Sequence, residues 1–225
     1  MKKLFLVIMA LSLLLVTGCA KDSLSSQEQG SGYTVVDARG KKITFASAPK
    51  RIVCLNYSAT DILTDLIPTD RIIATDMWAR EEDLSNCYEK LKGIPVCENN
   101  PEQIMKFKPD IVILTDGRAN ELADTLDSVG IKTCVLRQPK TIQEIPDYIK
   151  IVGEVADNKA AANSLAEKVA VYLKASTEGQ KIESVLLIHP NGGIGQKGSM
   201  PASICEACNI ENLAAKYDFP QSSYL

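Results

Sequence analysis

Four short runs, Arg51 to Leu55, Arg71 to Thr75, Asp110 to Thr115 and Lys132 to Leu136, constrain this chain more than any other feature. Each is apolar on consecutive rather than alternate positions, the pattern of a strand covered on both faces. Segments with helical periodicity separate or follow them: Ala59 to Ile67, Pro101 to Lys106, Ala119 to Val129 and Thr141 to Val152. Strands alternating with helices predict an α/β fold with a parallel sheet. Ahead of them, Tyr33 to Asp37 and Lys42 to Phe45 flank Arg39-Gly40, a hairpin signal. The stretch from 33 to 156, roughly 120 residues, is long enough for a core of its own.

Asp157 to Gly179 then predicts one long helix, with Ala161, Leu165, Val169 and Tyr172 at helical spacing and no interior Gly or Pro. Asp157 or Asn158 can cap its start and Gly179 can end it. At roughly 1.5 Å per residue it reaches about 30 Å, enough to join two domains, although a surface helix of a single domain shows the same pattern. Beyond it the alternation resumes with Glu183 to Ile188 as a strand, a glycine loop, and Pro201 to Cys208 as a helix with Pro in its first turn. Gly193, Gly195 and Gly198 match the spacing of a dinucleotide loop, but no complete βαβ unit surrounds them. The signals divide the chain into 1–18 and 19–32 ahead of the folded part, an α/β stretch over 33–156, the long helix 157–179 and a further strand-and-helix stretch over 180–225.

The N-terminus speaks for export. Lys2 and Lys3 precede the apolar run Leu4 to Val16, too short to span a bilayer, and Val16-Thr17-Gly18-Cys19 resembles a bacterial lipobox. Cys19 would then carry lipid and anchor the protein on the extracytoplasmic face of the cell membrane. Lys21 to Gly32 is rich in Ser, Gln and Gly and cannot bury enough surface to fold, so it reads as the tether. Without Lys2 and Lys3 the chain has 23 basic and 28 acidic residues, a net charge of −5, and no basic stripe points to nucleic acid. Of the remaining cysteines, Cys54 and Cys134 lie in apolar runs and predict buried thiols, whereas Cys87 and Cys97 are the candidates for a loop disulfide. Cys205 and Cys208 have CxxC spacing without a second pair or a nearby His, so no metal site is assigned.

In a parallel sheet, ligands bind beyond the carboxyl ends of the strands. Those ends carry Tyr57, then Trp78 and Arg80, then Arg118, then Arg137, and His189 follows the strand after the long helix. Arg offers planar donors to anionic oxygens, while Trp and Tyr offer faces to flat or apolar groups. These six are the candidate ligand-binding residues. His189 is the only histidine and has neither a GxSxG nucleophile nor a metal-ligand partner nearby, so no catalytic residue is assigned. The classes that remain are a receptor, an exported α/β enzyme, and a structural lipoprotein, the last of which would show repeats.

Asp37-Ala38-Arg39-Gly40, Ala48-Pro49-Lys50-Arg51-Ile52-Val53, Ser58-Ala59-Thr60-Asp61-Ile62-Leu63 and Asn100-Pro101-Glu102-Gln103-Ile104 leading to Lys108-Pro109-Asp110-Ile111-Val112 occur in this order. Together with Gly198-Ser199 and Asn209-Ile210-Glu211-Asn212, they resemble the substrate-binding proteins of ABC importers for iron complexes and cobalamin. The resemblance implies two lobes joined by the long helix, with ligand between them and no enzymatic activity or cofactor. It implies a monomer that captures an iron(III)-siderophore complex, or alternatively a corrinoid or haem, and delivers it to an ABC permease with its ATPase. It also carries a permease-docking role to Glu102, whose counterpart on the second lobe would lie beyond Phe219-Pro220-Gln221. On this reading the second lobe is incomplete and docking and uptake are weak.

Overall fold

The computed structural model describes residues 32–117, 119–175, 182–188 and 195–216. The leader, the lipidation residue Cys19, Arg118 and His189 fall outside these residues. The chain opens with an antiparallel hairpin of β1 (Tyr33–Val36) and β2 (Lys42–Phe45), turning at Gly40 with φ 79°. Four parallel strands follow: β3 (Ile52–Leu55), β4 (Ile72–Thr75), β5 (Ile111–Thr115) and β6 (Thr133–Leu136). Their order across the sheet is β4-β3-β5-β6.

Alternate side chains of these strands enter different cores, which is why the runs are apolar throughout. Ile52, Cys54, Ile72, Ile111, Ile113, Cys134 and Leu136 join one cluster. That face is closed by α1 (Tyr57–Leu66), α4 (Ile145–Val155) and α5 (Lys159–Ala175), through Leu63, Leu66, Ile149, Val152 and Ala162. Val53, Leu55, Ala74, Val112, Leu114 and Val135 meet Ile104 of α2 (Pro101–Lys106) and Ala123 and Leu126 of α3 (Ala119–Ser128) in the other. All predicted strands of this sheet and their helices are present, each boundary within a few residues of its sequence signal. The turn before α4 is a 3-10 segment, Ile142–Glu144, rather than part of the helix.

Open sheet edges are hazards that proteins cover. At β6 the hairpin does so: Ala38 N–H donates to Val135 O at 2.8 Å, and the fully buried Asp37 carboxylate accepts from Val135 N–H at 3.3 Å. Arg39 locks this joint by donating to Asp37, Asp127 and Thr133 at 2.8, 3.2 and 2.8 Å. Next to β4, Thr75 pairs with Val96 in a parallel bridge, and Cys97 N–H donates to Thr75 O at 2.8 Å.

The long helix begins two residues later than the sequence suggested. Asp157 adopts φ 58° in the reversal after α4, and Asn158 caps α5 by accepting from Ala161 N–H at 3.3 Å. The two helices pack along each other so closely that a Cβ on Gly153 would fall on that of Ala162. The proposed stop at Gly179 lies outside the described residues. Beyond α5, β7 (Ser184–Val185) and β8 (Glu211–Asn212) form a parallel pair beside α6 (Met200–Ala207). The strand expected over 183–188 is thus reduced to two residues. Ile142 N–H donates to Ser203 Oγ at 3.0 Å, tying α6 to the turn before α4.

The candidate loop disulfide is corrected: Cys87 and Cys97 are free and buried. Cys87 belongs to the first core cluster and Cys97 to the second, so the sheet layer lies between environments that a disulfide would have to bring together. Cys54 and Cys134 are buried thiols, as their apolar surroundings require, and burial pushes each up to about 12.

Candidate functional site

β3 lies between β4 and β5, so the chain leaves it toward one side through α1 and returns on the other. The loops after β3 and β5 therefore diverge and open a crevice at the carboxyl edge, the usual ligand position in an open parallel sheet. A cavity of about 820 Å³ occupies it. Its floor is Leu55, Asn56, Tyr57 and Ser58 after β3, and Thr115, Asp116 and Ala119 after β5. Asp76, Met77 and Trp78 after β4, the loop 96–99, and Gln138 after β6 form the sides. The volume suits a ligand of several hundred daltons.

Local sequence explains the placement. Asn56 stops β3 and caps α1, its Oδ1 accepting from Ala59 N–H at 3.0 Å, so Tyr57 and Ser58 are held at the helix start. The Tyr57 hydroxyl donates to Leu84 O at 2.9 Å, which fixes the ring at the cavity wall. Asp76 accepts from Ala79 N–H at 2.9 Å and so winds the short 3-10 turn Trp78–Arg80. Trp78 and Met77 stay 54% and 51% exposed on the cavity side, an unusual position for the only tryptophan of a chain with an otherwise well-filled core. Gly117 turns the chain after Asp116 with φ 94°, a conformation few other residues adopt.

The arginines of the sequence reading do not share one location. Arg80 does not line the cavity: its Nη1 donates to Leu91 O and to Ile94 O at 2.8 Å, and its guanidinium lies 5.9 Å from the Tyr88 ring. It braces the loop 87–95 by bonding Ile94 O and Leu91 O, the latter also reached by Ile94 N–H, and these tertiary partners explain its inward turn. Arg137 is 71% exposed, 4.0 Å from Asp116, and borders a smaller cavity of about 260 Å³ with Val36 and Ile151. Arg118 and His189 are outside the described residues.

What the cavity does gather is acid and sulfur. Asp76, Glu98 and Asp116 line it together with Cys97 and Met77, and no Lys or Arg is among its described lining residues. Burial pushes the Asp76 carboxyl above its usual range, against the bonds from Ala79 and Trp78 N–H groups that lower it. Burial and the neighbouring Glu98 charge raise the Cys97 thiol to about 11, so it is neutral and unreactive. Among the described residues no group of three or more His, Cys, Asp or Glu side chains could hold a metal ion. The chemistry on offer is recognition by apolar faces and hydrogen bonds. Asn56, Asp76, Met77 and Gln138 stand at the carboxyl ends of the strands in the sequence but were not among the six selected ligand-binding residues, and the structure places all four in the cavity lining. Glu102 is exposed in the first turn of α2, which Asn100 caps by accepting from Gln103 N–H at 3.1 Å.

A family model described as periplasmic binding protein matches residues 52–224. An ABC transporter substrate-binding lipoprotein of Bacillus subtilis (strain 168) is 25% identical over 183 residues, 76% of this chain and 56% of that protein. A cobalamin-binding protein of Halobacterium salinarum is 24% identical over 200 residues, 84% of this chain and 54% of that protein. The chain thus spans about half the length of the curated relatives it matches. Among solved structures, the apo form of a periplasmic haem-binding protein from Roseiflexus sp. RS-1 is similar with a TM-score of 0.66 at 18% identity, over 78% of this chain and 70% of that one. A periplasmic solute binding protein from Veillonella parvula DSM 2008 gives 0.65 at 21% identity, over 84% and 62%. These likenesses show the α/β fold with its parallel sheet. No helix among the described residues is long and apolar enough to cross a membrane. The chain belongs to the periplasmic binding protein family.

Proposed function

We propose that this chain is the capturing component of an ABC importer, held outside the cell membrane by lipid on Cys19, which binds a metal complex and presents it to a permease. The observation that carries the reading is the cavity where β3 and β5 diverge, with the lone tryptophan exposed on its wall beside Met77 and Tyr57. Large apolar faces standing in an open crevice recognise a broad ligand with little polar surface. An iron(III)-siderophore complex meets that description. The carboxylates of Asp76, Glu98 and Asp116 favour a chelate without net negative charge, such as a hydroxamate complex. The same observation favours a corrinoid as the second reading, because its amide-covered rim is neutral. Glu102 is the proposed contact to the permease.

Calorimetric titration tests this with ferrioxamine B, cyanocobalamin, haem and ferric citrate. Ferrioxamine B or cyanocobalamin is expected to bind at least about tenfold more tightly than the anionic pair, and Trp78→Ala to weaken it by about tenfold or more. Binding of none of the four, or affinity unchanged in Trp78→Ala, would refute the assignment.

A further inference from the structure

The side-chain amide of Asn56 has one end fully used and the other unused. Asn56 is 1% exposed and sits on the cavity floor between β3 and α1. Its Oδ1 accepts three hydrogen bonds, from Ala59 N–H at 3.0 Å, Gln138 Nε2 at 2.9 Å and the Tyr148 hydroxyl at 3.1 Å. A backbone N–H can only donate, so Ala59 fixes which end of the amide is oxygen. Nδ2 is buried and has no hydrogen-bond partner among the described residues. Leaving a buried donor unmade is costly, and a helix cap does not require it: Asp and Ser accept at this position as well as Asn and carry no amide donor. Beside it, the N–H groups of Tyr57 and Ser58 open the ten-residue helix α1, have no acceptor in a preceding turn, and belong to residues lining the same cavity. Two independent features thus converge on one point, a helix start with free N–H groups and an unpartnered amide donor.

We infer that Asn56 and the start of α1 form an acceptor-binding subsite at the cavity floor, in which Nδ2 donates to an uncharged or weakly charged oxygen of the bound complex. Carbonyl, hydroxamate and amide oxygens share this chemistry. The carboxylates of Asp76 and Asp116 in the same cavity disfavour a strongly anionic group there and suit such an acceptor. Gln138, half-buried and bonded to Oδ1 of the same amide, lines the cavity beside it. The subsite rests on the reading that this cavity holds a metal complex, and it assigns Asn56 a specificity role beyond capping.

The test compares Asn56→Asp and Asn56→Ser with the wild-type chain. Both keep an N-cap acceptor and remove the amide donor, and Asp sets a second acceptor where the donor stood. Titration with ferrioxamine B and with cyanocobalamin reads affinity, and thermal melting reads the fold. The expected result is an affinity at least about tenfold lower in both variants for the probe that wild type binds, the larger loss in Asn56→Asp, with melting cooperative and within a few degrees. Affinities within about twofold of wild type would make the unpaired donor a partner of internal water only and overturn the inference, while leaving the cavity reading intact. Loss of the fold in both variants would assign Asn56 to the core and overturn it also. Binding of neither probe by wild type would overturn the subsite and the proposed function together.

Discussion

The sheet region, residues 33–155, and the C-terminal region, residues 182–216, are built from similar local signals and reach different degrees of burial. In the first, the fully buried side chains are large: Ile52, Leu63, Ile72, Ile111, Ile113, Leu114 and Leu126. In the second, the described buried residues are small, Gly195, Ala202, Ser203, Cys205, Asn212 and Ala214, while Ile182, Leu186, Ile188 and Ile204 are 52%, 48%, 53% and 46% exposed. An apolar run becomes a strand of full length where layers cover both its faces, as α1, α4 and α5 cover one side of the sheet and α2 and α3 the other. The run at Val185 to Ile188 has comparable composition, but its ladder to β8 covers only Ser184 and Val185, and beyond it the described backbone contacts are Gly195 N–H donating to Leu187 O at 3.1 Å and a single bridge at Ile188. Composition proposes a strand and coverage decides its length.

The sharpest contrast lies in the cores. Ile113→Ala in the centre of β5 should cost about 3 to 4 kcal/mol in urea denaturation, the penalty of an unfilled cavity, whereas Ile204→Ala on α6 should stay within about 0.5 kcal/mol. Similar losses at both positions would break the comparison. Gly153→Val is expected to cost about 2 to 3 kcal/mol, because any Cβ there collides with Ala162 where α4 crosses α5. A neutral result would mean that the two helices separate without penalty. Glu102→Arg at the exposed start of α2 should leave the fold and ligand affinity unchanged and weaken association with a reconstituted permease by about tenfold, and association unaltered by the reversal would remove the docking proposal.

The smallest effect is electrostatic and depends on pH. Burial raises the Asp127 carboxyl, but the bonds and charges of Lys41, Thr133 and Arg39 outweigh it and hold the group below its usual value. A carboxyl depressed by folding stabilises the protein above its unfolded pKa, about 3.9, and that contribution is lost as pH falls through the lower folded value. Acid titration of stability should therefore be shallower below about pH 4 in Asp127→Asn than in wild type. Curves of equal slope for wild type and Asp127→Asn would remove the hairpin joint from the account.

Much of the sheet region was legible because its signals are local. The strands are apolar on both faces, Asn100 precedes a proline-started helix, and Asn158 precedes an alanine-rich one. The cavity wall was legible to the extent that Tyr57 and Trp78 follow strands directly. Arg80 was not, since its partners Leu91 O and Ile94 O are set by a loop whose course no periodicity encodes. Nor was the separation of Cys87 from Cys97, because ten residues of sequence say nothing about the sheet that comes between their side chains. The acidic lining emerged only when Asp76, Glu98 and Asp116, from three loops, were brought to one crevice.

The central claim is that this crevice receives a metal complex against Trp78. Because Trp78 is the only tryptophan in the chain and lines the cavity, its fluorescence reports on this site without labelling. Titration with ferrioxamine B and cyanocobalamin, corrected for ligand absorbance against free tryptophan, should show saturable quenching at micromolar concentration or below, together with reduced access of iodide to the indole. Quenching that follows absorbance alone for both ligands, with iodide access unchanged, would contradict the claim.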